Sequence, residues 1–303
     1  MKIGVMGLGN IAQKAYVPVM NDMRREVEWH FYSRDEEKMS DLANRHNWQF
    51  VYTNKEDFLA SGLDACFIHT PTPTHGALIE ELLTLGIHVF VDKPVSEDYQ
   101  EVADLHRLAE ERGLILMTGF NRRFAPLNQQ LKAVPAKNLI IAQKNRMKPK
   151  GQVKFEIFDM LIHVVDTALY LLDDDIIDVR YQLRAEKGIL KRAMITFETA
   201  TTTAIASTNM EAGAHTETVE IQALGGTYSV SNLDQLTKNE LGYLSFEGFG
   251  DWEGTLTKRG FKHLVEAFVQ CVKSGQPSKV VTPASSLASH YYIAQLWAYY
   301  KKD

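Results

Sequence analysis

Cysteine is nearly absent from this 303-residue chain, which has only Cys66 and Cys271. Two isolated thiols give neither a disulfide framework nor a zinc-ligand spacing, so no metal is expected. Blocks of lysine and arginine are missing too. The net charge is −5, and the short stretches Lys148-Pro149-Lys150 and Lys301-Lys302 do not make the basic face that a phosphate backbone requires. Nucleic acid is thereby excluded as an expected partner. No apolar run approaches the roughly 18 residues of a membrane-spanning helix. The opening Met1-Lys-Ile-Gly-Val-Met-Gly7 lacks the apolar core and cleavage site of a signal peptide, so the expected compartment is cytoplasmic. Repeats and low-complexity tracts are also missing. What remains is an ordinary globular composition, 45% hydrophobic and 23% charged, at a length that favours two domains.

Residues 2–6 read as an apolar strand running straight into Gly7-Leu8-Gly9-Asn10-Ile11-Ala12, with an amphipathic helical pattern over 11–23. Gly7 permits a tight turn, Gly9 lets the backbone approach a pyrophosphate, and Ala12 allows close helix-strand packing. The helix start supplies N–H groups and a positive dipole end. Strands at 27–33, 64–70, 88–91 and 114–120 alternate with helices at 36–47, 75–85 and 97–113. That alternation means a doubly wound parallel sheet with right-handed crossovers, a Rossmann domain over residues 1–122. Ser33-Arg34 closes the second strand. A hydroxyl and a guanidinium there suit the 2′-phosphate of NADP better than the ribose diol of NAD, although Asp35 lies next door.

Two further stretches fall at strand ends. In Thr70-Pro71-Thr72-Pro73-Thr74-His75 the alternate prolines imply an extended loop and Thr74 a helix cap. His75 either faces the cofactor groove or lies on the surface. In Gly86-Ile-His-Val-Phe-Val-Asp92-Lys93-Pro94 a lysine ends an apolar strand, where open α/β sheets bind ligands, and Pro94 restricts it to extended geometry.

Residues 123–303 change character. A helix at 126–133 and a strand at 139–147 precede a run of helical period over 155–172, which places Asp159, His163 and Asp166 on one face. Such a stripe reads as catalytic, as a structural histidine held by carboxylates, or as a partial metal site. Strands at 178–185, 190–198, 201–210, 216–224 and 227–230 follow in succession, then helices at 260–274 and 283–301. The expected fold is therefore α/β, with an N-terminal Rossmann sheet and a C-terminal α+β domain built on a large, open, mostly antiparallel sheet. The open face suggests self-association.

Together Gly7-x-Gly9-x-x-Ala12, Thr70-Pro71-x-x-x-His75, Asp92-Lys93-Pro94, Gly119-Phe-Asn-Arg-Arg-Phe124 and Asp159-x-x-x-His163 resemble the Gfo/Idh/MocA family of oxidoreductases, in order and across both halves. Asn10 to Ala15, Asn121 to Pro126 and His163 to Leu169 look closest to the branch labelled virulence factor MviM-like. The resemblance implies an NAD(P)-dependent dehydrogenase that moves a hydride between nicotinamide and a secondary hydroxyl or ketone of a sugar, polyol or inositol-like substrate. It implies that Lys93 is the active-site lysine and His163 the acid/base, and that Asp159 binds a substrate hydroxyl or orients His163. Arg122 and Arg123 would lie near the substrate. Asn10, Ile11, Thr70, Pro71, Thr72, His75, Asp92, Lys93 and Asn121 would join the glycines, Ala12, Ser33 and Arg34 on the cofactor side. A homodimer or homotetramer through the C-terminal sheet is implied as well.

In the mechanism so implied, neutral His163 takes the hydroxyl proton, Asp159 or Asp166 fixes its tautomer, and cationic Lys93 stabilises the alkoxide. Three positions depart from the family pattern. Asp92 stands for glutamate, Thr72 for asparagine, and Glu156-Ile-Phe lacks the usual glycine-rich lead-in. The alternative from another class is an NADP-sensing regulatory protein without turnover. The presence of both Lys93 and His163 favours the enzyme.

Overall fold

The computed structural model describes residues 1–148 and 151–302. Pro149 and Lys150 of the short basic stretch lie outside the described residues. The chain divides into two compact units, Met1–Gly119 with Phe261–Pro283, and Phe120–Gly260 with Ala284–Asp303.

In the first unit β1 (Lys2–Met6), β2 (Glu28–Tyr32), β3 (Phe50–Tyr52), β4 (Ala65–Ile68), β5 (His88–Val91) and β6 (Leu116–Thr118) form one sheet in the order β3-β2-β1-β4-β5-β6. All its pairs are parallel. This is the doubly wound Rossmann sheet, with its change of direction at β1, where ligand crevices open. The central strands are apolar on both faces, and Val5 of β1 is flanked by Phe31 and Phe67. Two elements escape the sequence pattern, β3 and the helix Lys55–Leu59. Both are too short to show a period. Asn54 starts that helix by accepting from the Asp57 N–H.

The helix after the glycine loop opens as a π-helix over Ala12–Tyr16 and continues as an α-helix over Val17–Asp22. Pro18 is the cause, since it has no N–H to return to the preceding turn. The Val17 N–H reaches five residues back to the Ala12 carbonyl, and Tyr16 ends fully buried. The Thr70–His75 stretch is not extended. Thr72–Thr74 form a 3₁₀ turn, and Thr74 donates to Thr70 Oγ1 at 2.7 Å without capping the next helix. A short hydroxyl side chain takes a nearby acceptor in preference to the helix end.

A single cut after residue 122 does not describe the units. The helix Phe261–Ser274 turns its apolar face, including Leu264, Val265 and Phe268, into the first. Phe268 meets Phe67 edge-on at 5.0 Å and Phe90 at 5.5 Å.

The second unit holds β7 (Lys137–Asn145), β8 (Ile176–Glu186), β9 (Ile189–Thr199), β10 (Thr203–Asn209), β11 (Thr216–Ala223), β12 (Gly226–Ser231), β13 (Gln235–Glu240) and β14 (Tyr243–Glu247). Their order is β14-β13-β12-β11-β7-β10-β9-β8, antiparallel except where β7 meets β10. Buried and half-exposed residues alternate along β7, β9, β10 and β11, and the helix Ile162–Leu171 covers β7 and β10. The hairpin β13–β14 was not expected. Its turn is Leu241-Gly242, both at positive φ, and leucine in that conformation gives no turn signal. Among the described residues no helix is long and apolar enough to cross a membrane.

Candidate functional site

The two loop glycines have different reasons to be glycine. Gly7 sits at φ +91°, and a Cβ there would lie 2.6 Å from the His69 carbonyl carbon and the Thr70 nitrogen. The turn off β1 touches the end of β4 too closely for any side chain. At Gly9 a Cβ would meet nothing within 4 Å. Its bareness is not demanded by packing, and it leaves open ground beside the helix start. The first backbone bond there runs from the Gln13 N–H to the Gly9 carbonyl at 3.1 Å, so earlier N–H groups precede the helical ladder. Asn10 and Ile11 are exposed and Ala12 is buried. These features fit a dinucleotide pyrophosphate.

Ser33 is half-buried and Arg34 exposed at the end of β2. Asp35 turns away from them to cap the helix Glu36–His46, accepting from the Lys38 N–H at 2.9 Å.

Lys93 leaves the end of β5 half-buried, and its peptide bond to Pro94 is cis. Asp92, expected on the cofactor side, turns inward instead. Its Oδ1 accepts from the Tyr16 hydroxyl and its Oδ2 lies 2.8 Å from His69 Nδ1. The Tyr16 and His69 ring centroids lie 4.0 Å apart, with the planes tilted by 33°. Gly119 makes room, because a Cβ there would lie 3.1 Å from Asp92 Oδ1. Burial alone would raise the Asp92 carboxyl. His69, the Tyr16 hydroxyl and Lys93 outweigh it and hold the group below its ordinary range. Burial, and then the Asp92 charge, push the Tyr16 phenol well up.

His75 neither faces a groove nor lies on the surface. It is buried, with Nδ1 2.9 Å from the Pro94 carbonyl and Nε2 2.8 Å from the Thr70 carbonyl. It ties the Thr70 stretch to the Lys93 stretch, because loop carbonyls away from water need partners. Thr70 and Thr72 are half-buried and Pro71 is exposed.

In the second unit Asn121, Arg122 and Arg123 are all buried. Asn121, expected near the cofactor, donates to the Arg259 carbonyl at 2.8 Å. The two arginines, expected to meet the substrate, are committed to carboxylates. Arg123 forks onto Asp166 with contacts of 2.7–3.1 Å, and Ser289 adds a donor to the same carboxylate. Asp166 is thereby spent on Arg123 and does not orient His163.

Arg122 forks onto Glu217 through Nε at 2.6 Å and Nη2 at 2.9 Å, and Lys144 reaches Glu217 at 2.7 Å. Arg122 Nη1 lies 2.8 Å from His163 Nδ1. Burial, then the Arg122 cation, bring the Lys144 ammonium down to about 7. Burial alone would raise Glu217, but Arg122 and Lys144 hold it far below the carboxylate range.

His163 is half-buried, one turn after Asp159. The turn is wide, because Ile157–Leu161 is a π-helix ahead of Ile162–Leu171, a feature frequent at functional sites. Asp159 lines a cavity of about 430 Å³ with Glu156, Arg146, Lys148 and His215. Burial, then the Asp159 charge, raise the Glu156 carboxyl. Among the described residues no group of three His, Cys, Asp or Glu side chains is placed to hold a metal ion.

Residues 1–120 match an oxidoreductase family with an NAD-binding Rossmann fold, Gfo/Idh/MocA. Residues 126–240 match a YceM-like C-terminal domain. The chain is 31% identical over 301 residues to the putative oxidoreductase YceM of Salmonella typhimurium, covering 98% of this chain and 97% of that one. This chain belongs to the Gfo/Idh/MocA family of oxidoreductases. A dehydrogenase (MviM) from Clostridium difficile superposes with a TM-score of 0.92 at 26% identity, over 99% of both chains. A Gfo/Idh/MocA family oxidoreductase from Vibrio cholerae gives 0.92 at 30% identity, over 100% of this chain and 99% of that one.

On this family fold the residues missed from sequence are Tyr16, His69, Lys144 and Glu217. A signal existed for two of them. Lys144 falls in the buried phase of β7 with Ile140 and Ala142, and Glu217 in that of β11 with Val219 and Ile221. A charge on the inward beat of a strand asks for a partner. Tyr16 carried no such mark, since its inward turn comes from the π-helix.

Proposed function

We propose that the chain catalyses reversible hydride transfer between NADP, or NAD, and a secondary hydroxyl or ketone of a sugar, polyol or inositol-like substrate. Lys93 carries this reading. It is a cation at the carboxyl end of a Rossmann strand, on a stretch anchored by Asp92 beneath and by His75 at the Pro94 carbonyl. The bound nicotinamide supplies the chemistry of hydride exchange. Gly7, Gly9, Asn10, Ile11 and Ala12 receive the pyrophosphate, and Ser33 with Arg34 receives the adenosine ribose, the guanidinium favouring a 2′-phosphate. Thr70, Pro71 and Thr72 line the same rim. Lys93 stabilises negative charge developing on the reacting oxygen, an effect on the order of 3 kcal/mol. His163 is assigned the transfer of the hydroxyl proton, and Asp159 a hydrogen bond to a substrate hydroxyl.

The names of partial matches support the substrate class and the cofactor. Over 194 residues the chain is 27% identical to a myo-inositol 2-dehydrogenase of Thermotoga maritima, spanning 59% of this chain and 57% of that one. Over 140 residues it is 29% identical to a D-xylose 1-dehydrogenase (NADP(+)) of Haloferax volcanii, spanning 46% and 43%. The outward beat of β10, with Thr203, Ile205 and Ser207 half-exposed, is proposed as part of a homodimer or homotetramer contact. The compartment proposed is the cytoplasm.

NADPH oxidation and NADP reduction measured against inositols, sugars and keto-sugars test the reading. Lys93→Ala and His163→Ala should keep cofactor affinity and lose roughly 10²–10⁴ in turnover. Unchanged turnover in both sinks it.

A further inference from the structure

The outward face of β8 and β9 carries a charge pattern that one copy of the chain does not balance. The strand register sets Asp178 opposite Glu198 at one end and Arg184 opposite Arg192 at the other. These four lie on the exposed beat of the two strands, away from the face where Ile195 and Phe197 are buried. Each end therefore sets like charge directly against like charge, which destabilises a strand pair. Six residues at roughly 3.3 Å each separate the ends, about 20 Å in all. That exceeds the Debye length of about 8 Å at physiological salt, so neither end neutralises the other.

Nearby side chains compensate the ends unequally. Arg180 bridges the acidic pair, from Nε to Asp178 at 3.3 Å and from Nη2 to Glu198 at 3.8 Å, one cation for two carboxylates. At the basic end the carboxylates Glu186 and Glu211 are both paired with Lys191. Among the described residues neither Arg184 nor Arg192 has an ion-pair partner. The two arginines line a cavity of about 600 Å³ on this face with Asn145 and Asn209.

We propose that this face binds a second copy of the chain with the strands antiparallel, so that Arg184 and Arg192 of each copy meet Asp178 and Glu198 of the other. This rests on the reading of the open sheet as the homo-oligomer contact, and it names the orientation of the two copies. A two-fold axis lying between the sheets and running across their strands exchanges the two ends of β8 while keeping β8 over β8. Both ends then find opposite charge. An axis running along β8 and β9 would set each basic pair against its own counterpart, a juxtaposition that costs several kcal/mol. Between the ends Met194, Ile205 and Ile141 are half-exposed on the same face and give the contact an apolar centre. Exposed ion pairs add little affinity, so the apolar centre holds the copies and the charges set their orientation.

Charge reversal tests the orientation. Arg184→Glu with Arg192→Glu makes both ends acidic, and Asp178→Lys with Glu198→Lys makes both ends basic. Each double variant alone should self-associate at least about tenfold more weakly than the unsubstituted chain. Mixed one to one, the two should associate with each other about as tightly as the unsubstituted chain does with itself, because every acidic end again meets a basic one. Analytical ultracentrifugation with one component labelled reads both results, and circular dichroism checks the fold. Where a double variant does not fold, Arg184→Glu or Asp178→Lys alone takes its place, both at exposed positions. Double variants that self-associate as tightly as the unsubstituted chain overturn the proposal, as does a mixture no tighter than its components. Either result leaves the oligomer reading standing, whereas a monomeric unsubstituted chain defeats both.

Discussion

Asp92 in the first unit and Glu217 in the second are both carboxylates sunk beneath a site residue, yet their partners differ in kind. Asp92 is shared between a phenol and an imidazole, Tyr16 and His69. Glu217 is shared between a guanidinium and an ammonium, Arg122 and Lys144. The first cluster can lose its negative charge and keep neutral donors around the oxygen atoms. The second cannot, because Arg122 stays charged whatever happens to Glu217. Two units of one chain thus anchor Lys93 and His163 by unlike means, one through adjustable hydrogen bonds and one through fixed charge.

The largest expected break is Glu217→Ala, which leaves Arg122 and Lys144 buried without a counter-charge. It should cost about 3–5 kcal/mol, read from the shift of the urea unfolding midpoint. Asp92→Asn should cost less, about 1–3 kcal/mol on the same scale, since the amide oxygen can still accept from Tyr16. Equal losses in the two variants would erase the distinction between the clusters.

A smaller effect sharpens it. Unfolded, Lys144 keeps its proton up to the ordinary lysine range near 10.5; folded, it keeps it only to about 7. Between those values the unfolded chain binds more protons, so stability should rise with pH across that window. The penalty for burying the cation is fully present below about 7. Lys144→Met should flatten this part of the curve, and an unchanged slope in unfolding free energy between pH 7 and 10 counts against the buried cation. At the acid end both carboxylates work the other way. Each is held below its ordinary range when folded, so their contributions are lost as pH falls.

Much of the first unit was legible because its signals are local. Apolar runs at β1, β4 and β5 with helix-length spacers admit little besides a parallel sheet, and the loop glycines follow directly from β1. The short β3 and the helix Lys55–Leu59 were not legible, having too few residues for a period. Neither was the hairpin at Leu241-Gly242, where leucine occupies a conformation that its side chain does not advertise. The site residues Lys93, Asp159 and His163 were singled out by type and place, but their neighbours were assigned by proximity in sequence, and for Asp166 that rule failed. Asp166 lies three residues from His163 and serves Arg123. Glu217 lies 95 residues from Arg122 and holds it.

By itself the sequence determined the alternation of elements, the glycine turn, the lysine at a strand end and the histidine on a buried helix. All of these rest on periodicity and backbone restriction within a few residues. Only the tertiary structure decided where the adjacent arginines Arg122 and Arg123 send their charge. Those partners come from β11, β7 and a distant helix, and a hydrogen bond depends on where atoms meet in space.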